Sequence, residues 1–332
     1  MHTYRTNQGC SVKSIFIDCD PGIDDAVALL LAVASPDLQI VGIGCVSGNL
    51  TADRCAANAL RILDLAGAPD IPVSVGPLKP LVRAYPRDPF SHGADGLAEL
   101  GLPPSARMAD ARFAADAILD ASHAGPLTLV ALGPMTNIAL AVIKDPSLPQ
   151  RVKQLICIGG AFGFHSAGST RATGDNPTSE WNFFVDPEAA NIVLDAGFNL
   201  TAIGLDVATR PDVELTAAHR SRLARAGTPQ AAFLLGVTDF VERRGFRSYC
   251  GLIDAIAIAA VIDPQLLACD QLACRVVTDG ELTRGQSVVD RREHFGRDDL
   301  PLILAARDLA SEAFLDLLVT RLCGDGEGVA DE

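Results

Sequence analysis

Four aspartates lie together where an apolar run ends and a helical pattern begins. The segment reads Ile15-Phe16-Ile17-Asp18-Cys19-Asp20-Pro21-Gly22-Ile23-Asp24-Asp25. Carboxylates this close repel one another, and their pKa values rise unless a cation or hydrogen-bond donors compensate the charge. Asp24 and Asp25 could simply cap the helix N-terminus, where negative charge is favourable, but capping leaves Asp18 and Asp20 unexplained. The cluster therefore predicts a site for a hard, oxygen-ligated cation such as Ca²⁺ or Mg²⁺.

The elements that must position this cluster follow an alternating pattern. Continuous apolar strands separated by helices predict an α/β fold with an open, mostly parallel central sheet and helices on both faces, as in Rossmann-like proteins. Ligands of such sheets bind beyond the carboxyl ends of the strands, where the aspartates lie. The predicted strands are 14–19, 39–46, 71–75, 127–132, 154–158 and 200–205, and the helices between them are 24–34, 51–66, 110–124, 137–144 and 187–196.

The later part of the chain is more helical. We predict helices over 231–243, 252–262 and 311–322, and a hairpin or pair of edge strands from 269–278 and 285–290. Two long segments rich in Gly, Pro, Ser and Asp, 82–101 and 162–179, are predicted to be lids over a site. The predicted organisation is a single domain over 14–324, with a flexible N-terminal extension at 1–13 and an acidic tail at 325–332.

Composition excludes several kinds of partner. The 332 residues carry a formal net charge of −14, with only four lysines, so a nucleic-acid partner is not expected. The nine cysteines are odd in number and form no C-x-x-C pair, which is typical of free thiols in a reducing compartment. Residues 1–14 lack the apolar core of a signal peptide, and no apolar run is long enough to span a bilayer. A cytoplasmic protein without a membrane partner is predicted.

Five segments in order carry a resemblance to a known family. They are Asp18–Asp25, Val46–Asn49, His92–Leu97, Leu132–Ala139 and Glu180–Ala190. Together they resemble the inosine-uridine preferring nucleoside hydrolases, from Ile15 to about Pro264. The resemblance implies hydrolysis of the N-glycosidic bond of ribonucleosides to ribose and free base, with Ca²⁺ as cofactor. It also implies a homodimer or homotetramer.

The same resemblance implies roles for particular residues. Asp20 is expected to be the general base toward a calcium-bound water and also a metal ligand. The expected metal ligands are Asp20, Asp25, the backbone carbonyl of Thr136, and Asp254. The expected substrate-binding residues are Asp24, Asn49, His92, Asn176, Glu180, Trp181 and Asn182, with Glu180 and Asn176 at the 5′-hydroxyl. Asp18 is expected to orient the ligands.

Simpler interpretations exist for some of these residues. Asn49 could be a plain turn residue, Thr136 could be a helix cap, and His92 could be an ordinary loop histidine. Asp254 is harder to explain without a ligand, because it sits in the apolar run 252–258 and a buried unpaired charge is costly.

Two departures from the family pattern affect the predicted substrate. Many relatives place a histidine, the acid for the departing base, directly before the aspartate that matches Asp254, whereas this chain has Ile253. Trp181 stands where many relatives have phenylalanine. These features favour purine nucleosides, which can leave after protonation at N7, over uridine and cytidine. His165 and Tyr249 are candidate substitute acids. The loop before Glu180 also differs, since the usual Gly-Asn lies farther upstream than Asn176.

Two other classes remain open at this point. Asp18-Cys19-Asp20 also resembles the opening of haloacid-dehalogenase phosphatases, but that chemistry needs a downstream lysine and none follows Lys153. A non-catalytic ribose- or nucleoside-binding protein would explain the missing histidine, although it would not need the proposed base Asp20.

Overall fold

The computed structural model describes residues 12–85, 91–165 and 171–324. The predicted extension at 1–13 and the tail at 325–332 fall almost entirely outside these residues. Within the described residues no helix is both long and apolar enough to cross a membrane.

Ten strands form one sheet in the described part of the chain. Its order is β4-β3-β2-β1-β5-β6-β7-β10-β8-β9, parallel from β4 to β10 and antiparallel at β8 and β9. The predicted open, mostly parallel sheet is confirmed. In chain order the strands are β1 (Lys13–Cys19), β2 (Leu38–Cys45), β3 (Val73–Val75), β4 (Asp110–Phe113), β5 (Leu127–Ala131), β6 (Val152–Ile158), β7 (Leu200–Ile203), β8 (Leu267–Val276), β9 (Ser287–Asp290) and β10 (Leu302–Leu309).

Helices cover both faces of this sheet. They are α1 (Ile23–Val33), α2 (Ala52–Leu65), α3 (Ala114–Ala124), α4 (Thr136–Lys144), α5 (Leu148–Arg151), α6 (Trp181–Val185), α7 (Pro187–Asp195), α8 (Leu205–Ala208), α9 (Ala217–Ala226), α10 (Pro229–Arg243), α11 (Ala255–Ile262) and α12 (Ser311–Cys323). Short 3₁₀ turns lie at Ser248–Gly251 and Pro264–Leu266.

The alternation of β1 side chains separates two hydrophobic cores. Ile15 and Ile17 pack with α1, α2 and α10 to α12, while Phe16 packs with α3, α4 and α7 on the other face. Helix α1 is almost wholly buried, because it lies between the sheet and the outer helices. A buried α1 holds its first turn, which carries Asp24 and Asp25, firmly at the end of β1.

Some local predictions were wrong or missing. The predicted helix 110–124 begins as strand β4 over its first four residues, because they pair with β3 at the edge of the sheet. Strand β10 was not predicted, and it lies between β7 and β8 in the sheet. The antiparallel pair predicted near 269–290 is confirmed as β8 and β9.

Candidate active site

A cavity of about 330 Å³ lies at the carboxyl ends of the central strands. Strands β2, β1, β5 and β6 are neighbours in the sheet, so the segments that follow them meet at one edge. Both predicted lid segments contribute to the wall, through His92 and Ser91 from one and Thr173 and Asp175 from the other. The predicted site residues in the wall are Asp20, Asp24, Asn49, His92, Glu180, Trp181, Asn182 and Asp254.

The Asp25 carboxylate organises the turn between β1 and α1. Its Oδ1 accepts a hydrogen bond from the Asp20 backbone N–H at 3.0 Å, and its Oδ2 accepts one from the Gly22 N–H at 3.0 Å. The Asn49 side chain donates a further bond to the Asp25 Oδ2 at 3.2 Å. Asp25 therefore stabilises this turn through its hydrogen bonds and is also a member of the acidic cluster.

Asp20 is held tightly between two other strand ends. Its Oδ2 accepts the Asn49 backbone N–H at 2.7 Å. A Cβ atom at Gly48 would lie 2.0 Å from the Asp20 Oδ2, and one at Gly133 would lie 2.5 Å from the Oδ1. Only glycine fits at these two positions, which explains the glycines in the segments after β2 and β5.

The acidic cluster fits a hard cation. Carboxylate oxygens of Asp24, Asp25 and Asp254 all lie within 4.8 Å of one another. Burial, followed by the repulsion of neighbouring carboxylates, raises the pKa values of Asp20 and Asp254 well above their ordinary range, and burial and Asp24 raise the pKa of Asp25 to about 6. No Arg or Lys lines the cavity among the described residues. An oxygen-only donor set that lacks a protein cation matches the ligand preference of Ca²⁺ or Mg²⁺.

The predicted ligand set is brought together only in part. Asp25 and Asp254 are in the group of three, and Asp24, predicted to bind a hydroxyl, joins them. Asp20 is outside that group, although its carboxylate lies against that of Asp25. The Thr136 side chain is buried and its hydroxyl donates to Asp186 Oδ2 at 2.7 Å.

Two asparagines that line the cavity donate their amide hydrogens to other groups of the protein. Asn49 donates both amide hydrogens, to the backbone oxygen of Asp20 and to Asp25 Oδ2, each at 3.2 Å. Asn182 donates both of its own, to the backbone oxygens of Leu132 at 2.6 Å and Ile158 at 3.1 Å. Each amide therefore has only its Oδ1 left for a ligand.

Glu180 adds another acceptor to the same wall. Its Oε1 accepts the N–H of Asn182 at 2.8 Å, and its Oε2 accepts those of Phe183 at 3.0 Å and Gly160 at 3.1 Å. Burial raises the pKa of Glu180 to about 7 despite these donors. Asn49, Asn182, Glu180 and the aspartates thus line part of the cavity with hydrogen-bond acceptors, and we call this part the acceptor wall.

Other residues that line the cavity are apolar, and we call them the apolar wall. Ile253, Val241, Phe246 and Leu205 form it, and Trp181 closes one side while stacking on Phe184 with the ring centroids 5.9 Å apart. No signal in the sequence had pointed to Val241, Phe246 or Leu205, because they lie on elements that carry no motif. This surface suits a flat, largely apolar ring.

His92 has a defined tautomer in this wall. Its Nδ1 accepts the Ile23 backbone N–H at 3.1 Å and lies 3.7 Å from Asp24 Oδ1. A ring nitrogen that accepts carries no proton, so the neutral imidazole carries its proton on Nε2.

The structure places three other predicted residues elsewhere. The His165 ring lies 3.0 Å from the Arg307 backbone oxygen, and the Tyr249 ring lies 5.1 Å from the Arg171 guanidinium carbon; neither lines the cavity. Asn176 donates to the Arg284 backbone oxygen at 2.8 Å and accepts from the Ser179 hydroxyl at 2.5 Å, so its amide is bonded within the protein and does not line the cavity.

The fold and the cavity indicate the class of protein. It is an α/β protein with an open, mostly parallel sheet and an acidic ligand-binding site at the carboxyl ends of its strands. The family described as inosine-uridine preferring nucleoside hydrolase matches residues 15–316. The chain is 37% identical over 287 residues to the inosine-uridine preferring nucleoside hydrolase of Leishmania major, covering 84% of this chain and 88% of that relative.

Two further relatives differ in the base that their names specify. The pyrimidine-specific ribonucleoside hydrolase of Salmonella schwarzengrund is 34% identical over 316 residues, covering 93% of this chain and 97% of that protein. The structure of a purine-preferring ribonucleoside hydrolase from Gardnerella vaginalis is similar with a TM-score of 0.81 and 30% identity, covering 94% and 98% of the two chains.

The chain belongs to the inosine-uridine preferring nucleoside hydrolase family. The predicted family and enzyme class, an N-glycosyl hydrolase, are confirmed.

Proposed function

We propose that the protein hydrolyses purine ribonucleosides to ribose and free base, with Ca²⁺ as cofactor and Asp20 as general base. The observation that carries this proposal is the acceptor wall. Asn49 and Asn182 offer only oxygen atoms, and the Glu180 carboxylate lies beside them. A ligand that fits this wall must present several hydrogen-bond donors, as the hydroxyls of a ribose do.

The acidic cluster would hold the metal. Asp20, Asp25, Asp254 and the Thr136 carbonyl would be its ligands, with Asp24 beside them, and all these donors are oxygen atoms. When bound, the ion would lower the pKa of a bound water and neutralise part of the cluster's charge.

Asp20 is suited to accept the proton of the attacking water. Its Oδ2 accepts the Asn49 N–H, which orients the carboxylate for proton transfer. Gly48 and Gly133 fix the carboxylate between them, and it therefore needs little rearrangement before reaction.

The acceptor wall also selects against anionic substrates. Asp20, Asp24, Asp175, Asp254 and Glu180 all line the cavity, and no Arg or Lys does so among the described residues. A 5′-phosphate would meet like charge here, and a 2′-deoxyribose would leave one acceptor without its donor. Neutral ribonucleosides are the class that satisfies both conditions.

The base preference rests on the apolar wall. Ile253 cannot donate a proton to a departing base, so a purine, which can be protonated at N7, is favoured. His92 and Trp181 both line the cavity, and Trp181 offers an aromatic surface. The relatives' names include both base classes, so a pyrimidine-preferring enzyme is the alternative.

The predicted homo-oligomer and cytoplasmic location stay predictions.

The test is ribose release from a panel of ribonucleosides, deoxyribonucleosides and 5′-monophosphates. We expect inosine, guanosine or adenosine to be hydrolysed faster than uridine or cytidine, and deoxyribonucleosides and monophosphates hardly at all. Protein treated with a chelator is the control for metal dependence. Faster uridine hydrolysis would overturn the purine preference, and binding of nucleosides without release of ribose would support a non-catalytic binding protein.

A further inference from the structure

Asp186 is a buried carboxylate that does not line the cavity. It lies between α6 and α7 with 0% of its surface exposed. Its Oδ1 accepts the Ala189 backbone N–H at 3.0 Å, which caps α7. Its Oδ2 accepts both the Thr136 hydroxyl at 2.7 Å and the Leu81 backbone N–H at 2.9 Å. A cap needs only the first of these bonds, and a Ser or Asn would serve equally well.

One of the two extra bonds, from the Thr136 hydroxyl, reaches the first turn of α4, and the other, from the Leu81 N–H, holds the segment that follows β3. On the other side of that turn, Asn137 donates to Asp18 Oδ1 at 2.7 Å and to the Cys45 backbone oxygen at 3.2 Å. Two successive side chains of α4 are thus held by two buried aspartates that belong to different parts of the chain. The peptide that joins Thr136 to Asn137 carries the Thr136 carbonyl, and its rotation is restricted from both sides.

We infer that Asp186 is a positioning residue for the metal centre, acting through the Thr136 hydroxyl on the Thr136 carbonyl. The inference rests on the proposed function, which assigns that carbonyl as a neutral ligand. A carbonyl has no charge to draw it toward an ion, so its contribution depends on orientation. Groups that orient ligands in this way typically change metal affinity by about 10–100-fold when they are removed.

Two substitutions separate this role from packing. Asp186→Asn turns one carboxylate oxygen into an NH₂ group, which then faces either the Ala189 N–H or the Leu81 N–H. Thr136→Val removes only the hydroxyl and keeps the backbone carbonyl. Calcium binding to the chelator-stripped full chain is measured by titration calorimetry, with Ca²⁺ alone as the ligand. We expect each variant to bind Ca²⁺ about 10-fold more weakly, and the double variant to bind no more weakly than the weaker single one.

Asp206→Asn is the matched control. Asp206 is also 0% exposed, and its carboxylate accepts the backbone N–H groups of Phe162, Phe164 and His165, which lie outside α4. We expect Asp206→Asn to lower the melting temperature as Asp186→Asn does, but to leave the calcium dissociation constant unchanged.

The outcomes distinguish this inference from the proposed function. If wild-type protein binds Ca²⁺ and both Thr136→Val and Asp186→Asn bind it equally well, Asp186 has only a structural role and the inference fails alone. If wild-type protein binds no Ca²⁺, the proposed function fails and takes the inference with it. Thr136→Val keeps the test decisive even if Asp186→Asn does not fold.

Discussion

At the antiparallel margin of the sheet, Asp290 and Asp299 each have an arginine beside them, whereas the buried cavity aspartates Asp20 and Asp254 have none among the described residues. Arg292 contacts both oxygens of Asp290, at 2.8 and 2.6 Å, and holds its pKa well below the ordinary range. Arg297 lowers the pKa of Asp299 in the same way. In the cavity, burial and neighbouring carboxylates raise the pKa values of Asp20 and Asp254 instead.

The difference between the two groups of aspartates shows which negative charges are not compensated by the protein and would need a bound cation. Asp299 is exposed and Asp290 is partly buried, but both are paired with an arginine of the protein, so neither needs a further cation. Asp20 and Asp254 are buried at the end of β1 and at the start of α11, and no Arg or Lys of the described residues lines the cavity around them. A buried cluster of like charge is costly unless a cation joins it, and the proposed Ca²⁺ would offset this cost.

The largest effect is expected for Asp20→Asn. The amide keeps the shape of the carboxylate but cannot accept the proton of the attacking water, so turnover of inosine should fall by about 10²–10⁴-fold. The measurement is kcat from ribose release, with circular dichroism to confirm folding.

Asp290→Asn makes the same chemical change at the paired margin of the sheet and serves as the control. It should leave kcat unchanged, since Asp290 lies in no part of the cavity wall. Wild-type turnover by Asp20→Asn would show that Asp20 is not the base.

The second-largest effect is expected for the stability of the folded protein when Ca²⁺ is added. A ligand that binds only the folded state stabilises it by about 4 kcal/mol at 1,000 times its dissociation constant. We expect the melting temperature of stripped protein to rise on adding Ca²⁺, and this rise to be lost in Asp254→Asn and kept in Asp290→Asn. Equal melting temperatures with and without the ion in wild-type protein would contradict a metal site in the cluster.

Much of the site could be predicted because its residues follow strand ends. Asp20, Asn49 and Asp24 come directly after β1 or β2, and parallel neighbours bring their carboxyl ends to one edge. Asp254 could be predicted from the cost of a lone charge in an apolar run. The sequence resemblance then connected these positions with Glu180 and Asn182, which lie far along the chain.

What could not be predicted depends on contacts between distant segments. Strand β10 alternates only imperfectly between buried and exposed residues, and it is fixed by pairing with β7 and β8. The Asp186–Thr136 bond joins residues 50 positions apart, and no local pattern reports it. The resemblance implied that Asn176 binds substrate, but its amide is bonded to Arg284 and Ser179, and Asp175 lines the cavity instead.

The smallest effect is expected for Glu180, which is intermediate between the two groups of carboxylates. It is buried like the cavity aspartates, but its charge is partly compensated because it accepts hydrogen bonds from three backbone N–H groups. Its folded-state pKa is raised from an ordinary 4.5 to about 7. The folded protein therefore binds more protons than the unfolded chain between these values. By linkage, the Glu180 contribution to stability is most favourable below about pH 4.5 and is lost as the pH rises through 7.

Glu180→Gln removes this titration and sharpens the comparison. Relative to the variant, stripped wild-type protein should lose on the order of 2 to 3 kcal/mol of unfolding free energy between pH 4.5 and 7. The glutamine will itself be destabilising at every pH, because its NH₂ group faces backbone N–H donors, so the informative quantity is the change in the difference with pH. Urea unfolding at several pH values measures it. If the difference in unfolding free energy between wild type and variant is constant across this pH range, the three N–H donors keep Glu180 ionised. Glu180 would then resemble Asp290 and Asp299, whose charge is compensated within the protein.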